Sequence, residues 1–314
     1  MASVCFFWGT TYLGIRMALE SFPPLALVAS RFLISGVLMF SGALWMGAAI
    51  PRGRELLLTA LNGVLILGIG NGCLTWAETM IPSGLAALFL TTSPFWMVGL
   101  EAIFGGDKLH APTVAGLLIG LCGAAILFTP TGHPIGAETV KGFLILQVGC
   151  FCWNAGSISQ RLSKTVAHPV VSGAVQQLAA GIAFLLPALI VPEHPIVWTT
   201  RGVSALLYLV VFGSIVGYSS YIYALEKLPV AVVSIYTYVN PVVALILGWI
   251  IYREPLGVRE WSAMAVIFLG VAIVKRFSHL DKRRSIPVGN FCADGAADRG
   301  QKREQDEHYH DQHD

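Results

Sequence analysis

This 314-residue chain has little charge: Asp, Glu, Lys and Arg make up 12% of it, hydrophobic residues 55%, and mean hydropathy is +0.69. A soluble chain needs about 25% charged residues to cover its surface. A soluble globular class is therefore excluded, and a multi-spanning membrane protein is expected. The formal net charge of +2 is too small to imply a nucleic-acid partner. A cysteine framework is also missing. Of Cys5, Cys73, Cys122, Cys150, Cys152 and Cys292, only Cys150 and Cys152 are close in sequence, and two residues apart on a helix they point to different faces. Free buried thiols are expected. Neither HExxH nor GxSxG occurs, and His110, His133, His168, His194, His279, His308, His310 and His313 fall in loops or in the tail. A membrane enzyme is disfavoured on that ground, and no metal or cofactor is expected. No basic region or small-residue cleavage site precedes Arg16 and Glu20, so no cleavable signal peptide is expected.

What the sequence does have is apolar runs. A spanning helix needs about 20 apolar residues. On that measure the runs are 2–19, 25–46, 56–78, 84–104, 112–129, 142–161, 170–192, 202–225, 230–251 and 260–277. The first is short, about 28 Å at 1.5 Å per residue, which suggests truncation or a start upstream of Met1. The connections are brief and carry turn residues, for example "ESFPP" and "PTGHPIG", so successive helices are expected to pack antiparallel. With the N-terminus inside, cytoplasmic loops hold Arg52, Arg54, Lys108, Arg161, Lys164 and Lys227, against Lys141, Arg201, Arg253 and Arg259 outside. Lys275, Arg276, Lys282, Arg283 and Arg284 add to the inside, and both termini are expected in the cytoplasm.

Internal similarity divides the chain. A shift of 145 pairs Trp8 with Trp153, Arg16 with Arg161, Pro24 with Pro169 and Gly36 with Gly181. A shift of 147 pairs Ala77 with Ala224, Pro82 with Pro229, Pro94 with Pro241, Asp107 with Glu254, Leu109 with Leu256 and Gly123 with Gly270. The order of these landmarks argues more strongly than their number. Five helices per unit is odd, so the second unit enters from the opposite face. The expected fold is an all-α integral membrane protein of ten transmembrane helices, arranged as two inverted five-helix repeats. The expected boundaries are a first repeat at 1–129, a linker at 130–141, a second repeat at 142–277 and a disordered cytoplasmic tail at 278–314.

"FFWGTTYLGIRMALESFPPLALVASRFLISG", "NPVVALILGWIIYREPL" and "FLGVAIV" resemble the EamA-type transporters of the drug/metabolite transporter superfamily. "GNGCLTWAETMIPSGLAAL" places the chain near the YedA-like inner-membrane members. The resemblance covers nearly all of residues 1–277. It implies a secondary transporter, an exporter of small metabolites, amino-acid-like solutes or drugs, working by alternating access around a central cavity in a bacterial inner membrane. The alternative from another class is a non-transporting receptor or scaffold. Expected partners are a small-molecule substrate, the lipid bilayer, a proton as coupling ion and a second copy in a homodimer.

Ionisable residues within the membrane are expensive and need a partner or a purpose. Arg31 and Glu78 fall at similar depth near the outer face, and an ion pair between them is expected, serving as an outer gate, a substrate site or a brace. Glu101 is expected at the inner interface, and Glu78 and Glu101 are the carboxylates placed for proton coupling. "GIGNG" at 68–72 matches no nucleotide loop. Its glycines suit close helix packing, and with the "GSIVGYSSYIY" stretch from Gly213 it forms a matched pair of interrupted segments pointing to a midplane site. The cavity candidates are Trp8, Tyr12, Arg31, Asn71, Thr75, Trp76, Glu78, Ser93, Pro94, Trp153, Asn154, Gln176, Tyr218, Tyr221, Tyr238, Asn240 and Pro241. Gln176 stands where the repeat places Arg31, making the cavity electrostatically uneven. Pro94 and Pro241 are expected to bend their helices around the cavity, with Ser93 and Asn240 available to the freed carbonyls. Asp107 and Glu254 are expected to cap helices or hold turns. The "HYHDQHD" tail is read as solvated rather than metal-binding.

Overall fold

Lipid offers the backbone no water, so a spanning segment must satisfy its own N–H and C=O groups, and a helix does this within one segment. The computed structural model describes residues 1–81, 83–105, 111–127, 136–163, 167–191, 193–252 and 257–284. Among these residues all regular structure is helical. The helices are α1 (Ala2–Leu19), α2 (Pro24–Trp45), α3 (Gly53–Ala77), α4 (Ser83–Leu90), α5 (Ser93–Leu100, continued by Glu101–Gly105), α6 (Ala111–Leu127), α7 (Ala137–Leu162), α8 (Pro169–Ile190), α9 (Thr200–Lys227), α10 (Val230–Val233), α11 (Tyr236–Tyr252) and α12 (Val258–Arg284). Five of these, α2, α3, α7, α8 and α9, are long and apolar enough to cross a membrane; shorter apolar helices occupy Ser93–Phe104, Ala111–Gly123 and Trp261–Val274. Contacts define one compact unit, Met1–Lys275, and a second from Arg276 onward, described as far as Arg284.

Helix starts follow local chemistry. Pro24 and Pro169 open α2 and α8, where a missing N–H forfeits no helical bond. The His168 ring accepts from Val170 N–H at 3.3 Å, and Thr199 Oγ1 accepts from Gly202 N–H at 3.0 Å. Outward faces are apolar: Val37 and Leu38 on α2 and Ile182, Leu186 and Leu189 on α8 are exposed. In water such a surface is a liability; the acyl chains of a bilayer cover it.

Two expected spans are broken. The run 84–104 is interrupted by a turn at Thr91 and Thr92, and the run 230–251 by a turn at Ser234 and Ile235. Pro94 therefore stands in the first turn of α5, where it costs no helical bond, rather than inside a continuous helix. Pro241 does lie inside α11. The expected linker is also shorter, because α7 begins at Ala137. The tail is helical through Arg284, with no proline to stop α12 before Pro287. Asp107, Glu254, linker residues 130–135 and the tail from 285 lie outside the described residues.

The crossings reveal a reciprocity that the sequence shifts anticipate. A Cβ on Gly36 would stand 2.8 Å from Leu178 N, and one on Gly181 would stand 2.7 Å from Leu33 N. The shift of 145 carries Leu33 onto Leu178 and Gly36 onto Gly181, so α2 and α8 make the same contact in both directions. A Cβ on Gly123 would meet Ile267 N at 2.8 Å and Ala263 O at 3.1 Å, while one on Gly270 would meet Gly120 N at 2.6 Å and Gly116 O at 2.7 Å. The shift of 147 carries Gly116 and Gly120 onto Ala263 and Ile267. Gly70 lies under Trp153 and Gly217 under Trp8 in the same way. Small residues let these backbones touch, the usual source of helix affinity in lipid.

Candidate functional site

At the centre of this reciprocal packing is a cavity. Trp8, Thr11 and Tyr12 reach it from α1, Arg31 and Phe32 from α2, Leu67, Gly70, Asn71 and Leu74 from α3, and Leu90 and Ser93 from the two sides of the α4–α5 break. The other half supplies Gly149, Cys150 and Trp153 from α7, Gly213, Ser214 and Tyr218 from α9, and Tyr236, Thr237 and Asn240 from α11. The cavity volume is about 70 Å³. This is a narrow conformer, with room for a few waters.

The two glycine-rich segments overlap irregular helix. α3 passes through a π-helical stretch at Val64–Gly70 and α9 through another at Leu209–Gly217. The shift of 147 carries 64–70 onto 211–217. Short π stretches inside α-helices are frequent at functional sites, and both of these border the cavity. The Trp8 indole donates to Gly213 O at 3.0 Å, anchoring α1 to the wide turn of α9.

Arg31 carries the charge of the site. Its Nε donates to Ser214 Oγ at 2.8 Å and its Nη1 to Asn71 Oδ1 at 3.3 Å, and its guanidinium carbon lies 5.0 Å from the Phe32 ring centre. The expected ion pair with Glu78 is not formed. The guanidinium lies level with Asn71, seven residues before Glu78 and so about 10 Å along α3 at 1.5 Å per residue. Glu78 ends α3 with both carboxylate oxygens buried and no hydrogen-bond partner among the described residues. Glu101 is buried, with Oε1 3.6 Å from Arg161 Nε.

Of the seventeen candidates, Trp8, Tyr12, Arg31, Asn71, Ser93, Trp153, Tyr218 and Asn240 line the cavity together. Others form the layer behind it. Asn154 donates to Ser93 Oγ at 2.8 Å and to Cys150 O at 2.7 Å. Tyr218 donates to Gln176 Oε1 at 2.7 Å, and Gln176 Nε2 donates to Gln160 Oε1 at 2.8 Å. Gln160 borders a second groove with Arg54, Glu55, Thr59 and Asn62, so these two hydrogen bonds stand between groove and cavity. Thr75 is buried and donates to Asn71 O at 3.0 Å, and Trp76 is half-buried beside it. Tyr238 turns away, donating to Leu117 O at 3.0 Å in a separate cluster with Ile267 and Met264. Oriented so that its amide is satisfied, Asn240 donates to Tyr236 O at 2.9 Å and Cys5 O at 3.1 Å, not to Thr237 O, the carbonyl that Pro241 leaves without its helical donor.

Sequence reasoning did not single out Thr11, Thr237 and Gln177, and it named Ser214 only within the Gly213 stretch. Gln177 bonds to Ser35 and, through Nε2, to Ser214 O at 3.3 Å, extending the polar layer that Arg31 begins. A signal was present: Ser35 follows Arg31 by four residues and so shares its helix face.

Tyr221 holds the aromatic wall. Its hydroxyl accepts from Trp153 Nε1 at 3.1 Å and is 2.7 Å from Ser157 Oγ, and its ring is 5.0 Å from Trp8. Tyr221→Phe leaves the Trp153 N–H without its acceptor, at a cost of about 1–3 kcal/mol. The expected result is a lower melting temperature with altered tryptophan emission; an unchanged melt and spectrum would show that the hydroxyl positions nothing.

Comparison with known proteins gives a consistent outcome. The model of the EamA-like transporter family matches residues 1–129 and 140–276. The chain is similar to the inner membrane transporter YedA of Escherichia coli (strain K12), 36% identical over 273 residues, covering 85% of this chain and 86% of that one. It is also similar to a probable terminal-alkyne amino-acid exporter of Streptantibioticus cattleyicolor, 27% identical, covering 88% and 92%. A solved crystal structure, 21% identical, shares the fold at a TM-score of 0.76 and covers 88% of this chain and 95% of its own.

Proposed function

The chain belongs to the EamA-like transporter family, and from that premise we propose that it is a secondary transporter that exports small organic, amino-acid-like solutes by alternating access about the central cavity. The observation that carries this reading is the cavity's position: it lies where the two halves meet, with a π stretch of each half in its wall. The reciprocal contacts of Gly36 with Leu178 and Gly181 with Leu33 support ten helices in two inverted five-helix repeats, as do those of Gly123 with Ile267 and Gly270 with Gly120. Two halves related in this way can exchange conformations, so that the cavity opens to one face and then the other. In the conformer described, Tyr218, Gln176 and Gln160 bar the route to the groove beside Arg54, and that side is assigned to the cytoplasm by the basic loops.

Export is supported by the name of the Streptantibioticus relative, which also favours an amino-acid-like cargo. The apolar wall and the few polar groups suit an amphipathic solute. Glu78, whose buried carboxylate has no hydrogen-bond partner among the described residues, is the candidate proton carrier.

The test is solute flux into and out of proteoliposomes holding the purified full chain, across amino acids, other metabolites and drugs, with and without a proton gradient. Saturable exchange of at least one amino-acid-like solute is expected, with accumulation inside everted vesicles, whose lumen corresponds to the outside of the cell. A protein that reconstitutes folded and moves nothing in the panel is a receptor or scaffold.

A further inference from the structure

Among the described residues, Arg31 is a cation with no anion. Only 4% of the residue is exposed, yet both its hydrogen bonds go to neutral oxygens, those of Ser214 and Asn71. No carboxylate pairs with it: the described ion pairs of the transmembrane unit join Lys141 to Glu138, Arg161 to Glu101 and Arg201 to Glu20. Among the described residues Nη2 makes no hydrogen bond, and it is not one of the fully enclosed polar atoms. It lies against Gly213, where an added Cβ would stand 2.8 Å from it, so the absent side chain keeps this edge clear. The guanidinium lines the cavity with Ser214 holding its Nε, Asn71 taking one Nη1 donor, and Nη2 without a hydrogen bond among the described residues.

We propose that Arg31 is the anchor for a solute carboxylate, taken in bidentate fashion by the Nη1/Nη2 edge, with the solute's apolar body against Trp8, Trp153 and Tyr236. The proposal rests on the transporter reading and narrows its cargo to small organic acids and zwitterions. A planar carboxylate matches the spacing of two guanidinium N–H donors, and charge-assisted bonds of this kind are about twice as strong as neutral ones. In a cavity of low dielectric the same positive charge repels a purely cationic solute. Rings form much of the remaining wall: Trp8 and Tyr236 meet edge to face at 5.0 Å, and Trp8 and Trp153 at 5.4 Å. Recognition at the charged end is therefore chemical, and recognition along the rings is by shape and area. The carboxylate supplies at once the missing countercharge and the missing acceptors.

The test uses the full chain in lipid nanodiscs, with binding read from tryptophan emission and thermal shift, and four probes: 3-phenylpropionate and L-leucine, each against its carboxamide. Each acid is expected to bind at millimolar concentration or below and at least about 10-fold tighter than its amide. Arg31→Gln is expected to erase that preference, and Arg31→Lys, which keeps the charge but loses the fork, to restore part of it. The acid–amide comparison on the unaltered chain stands even if Arg31→Gln fails to fold. Amides binding as tightly as acids, undiminished acid preference in folded Arg31→Gln, or no binding of either acid would overturn the proposal. Flux of other solutes without any acid preference removes the anchor and leaves the transporter; tight acid binding without flux removes the transporter and leaves the anchor.

Discussion

Gly181→Leu is expected to destabilise the protein by about 3 kcal/mol or more. A Cβ at Gly181 would stand 2.7 Å from both the backbone N and the Cγ of Leu33. The side chain could turn aside, but a backbone nitrogen can move only with its helix. α2 and α8 must therefore part, and the buried layer of Arg31, Ser35, Gln177 and Ser214 that spans α2, α8 and α9 parts with them. Overpacking in a filled core costs about 1–3 kcal/mol and occasionally more; a leucine driven into backbone, with a polar layer pulled open, belongs at the upper end. Against a total stability of about 5–15 kcal/mol that is a large loss. Gly36→Leu is expected to act alike through Leu178, whose backbone N would be 2.8 Å away. Since either change forces the same separation, the double variant should cost clearly less than the sum. Monodispersity after extraction and thermal unfolding of the reconstituted variants measure this. A Gly181→Leu protein that melts like the unaltered chain, or strictly additive costs, would refute the shared crossing.

Glu78→Met is expected to do the opposite and stabilise the protein by about 1–3 kcal/mol. Both carboxylate oxygens are buried without a hydrogen-bond partner among the described residues. The residue also caps the C-terminal end of α3, where the helix dipole opposes negative charge. Met keeps the length and apolar stem and removes the polar atoms. If Glu78 carries the coupling proton, Glu78→Met and Glu78→Gln should both lose the dependence of flux on a proton gradient, while counterflow without a gradient persists. Melting temperature and gradient-driven flux are read on the same preparations. A lower melting temperature for Glu78→Met sinks the unpartnered carboxylate, and retained gradient dependence sinks the coupling role.

Much of the fold could be read because lipid imposes a simple rule on length and polarity, and because landmarks such as Gly36 and Gly181 recur in order. The site was harder to read. Tyr236 and Tyr238 look equivalent in the sequence, yet two residues at 100° each place them on nearly opposite faces. Which face meets the cavity depends on the break at Ser234 and Ile235, and no glycine or proline stands at either residue to announce it. Arg31 was located, but its partner was not. Matching depth from the membrane surface allowed Glu78, whereas the long side chain reaches deeper, to Asn71 and Ser214.

The wide turns of α3 and α9 have a mechanical consequence. A π turn holds about one residue more than an α turn, so if it migrates along its helix, each residue it passes rotates by about 100° while most backbone bonds are kept. Peristalsis of this kind in α9 would swing Ser214 away from Arg31 and carry the Gly213 carbonyl away from Trp8. A single corkscrew step would then release the cation's support and the anchorage of α1 together, without unwinding either helix.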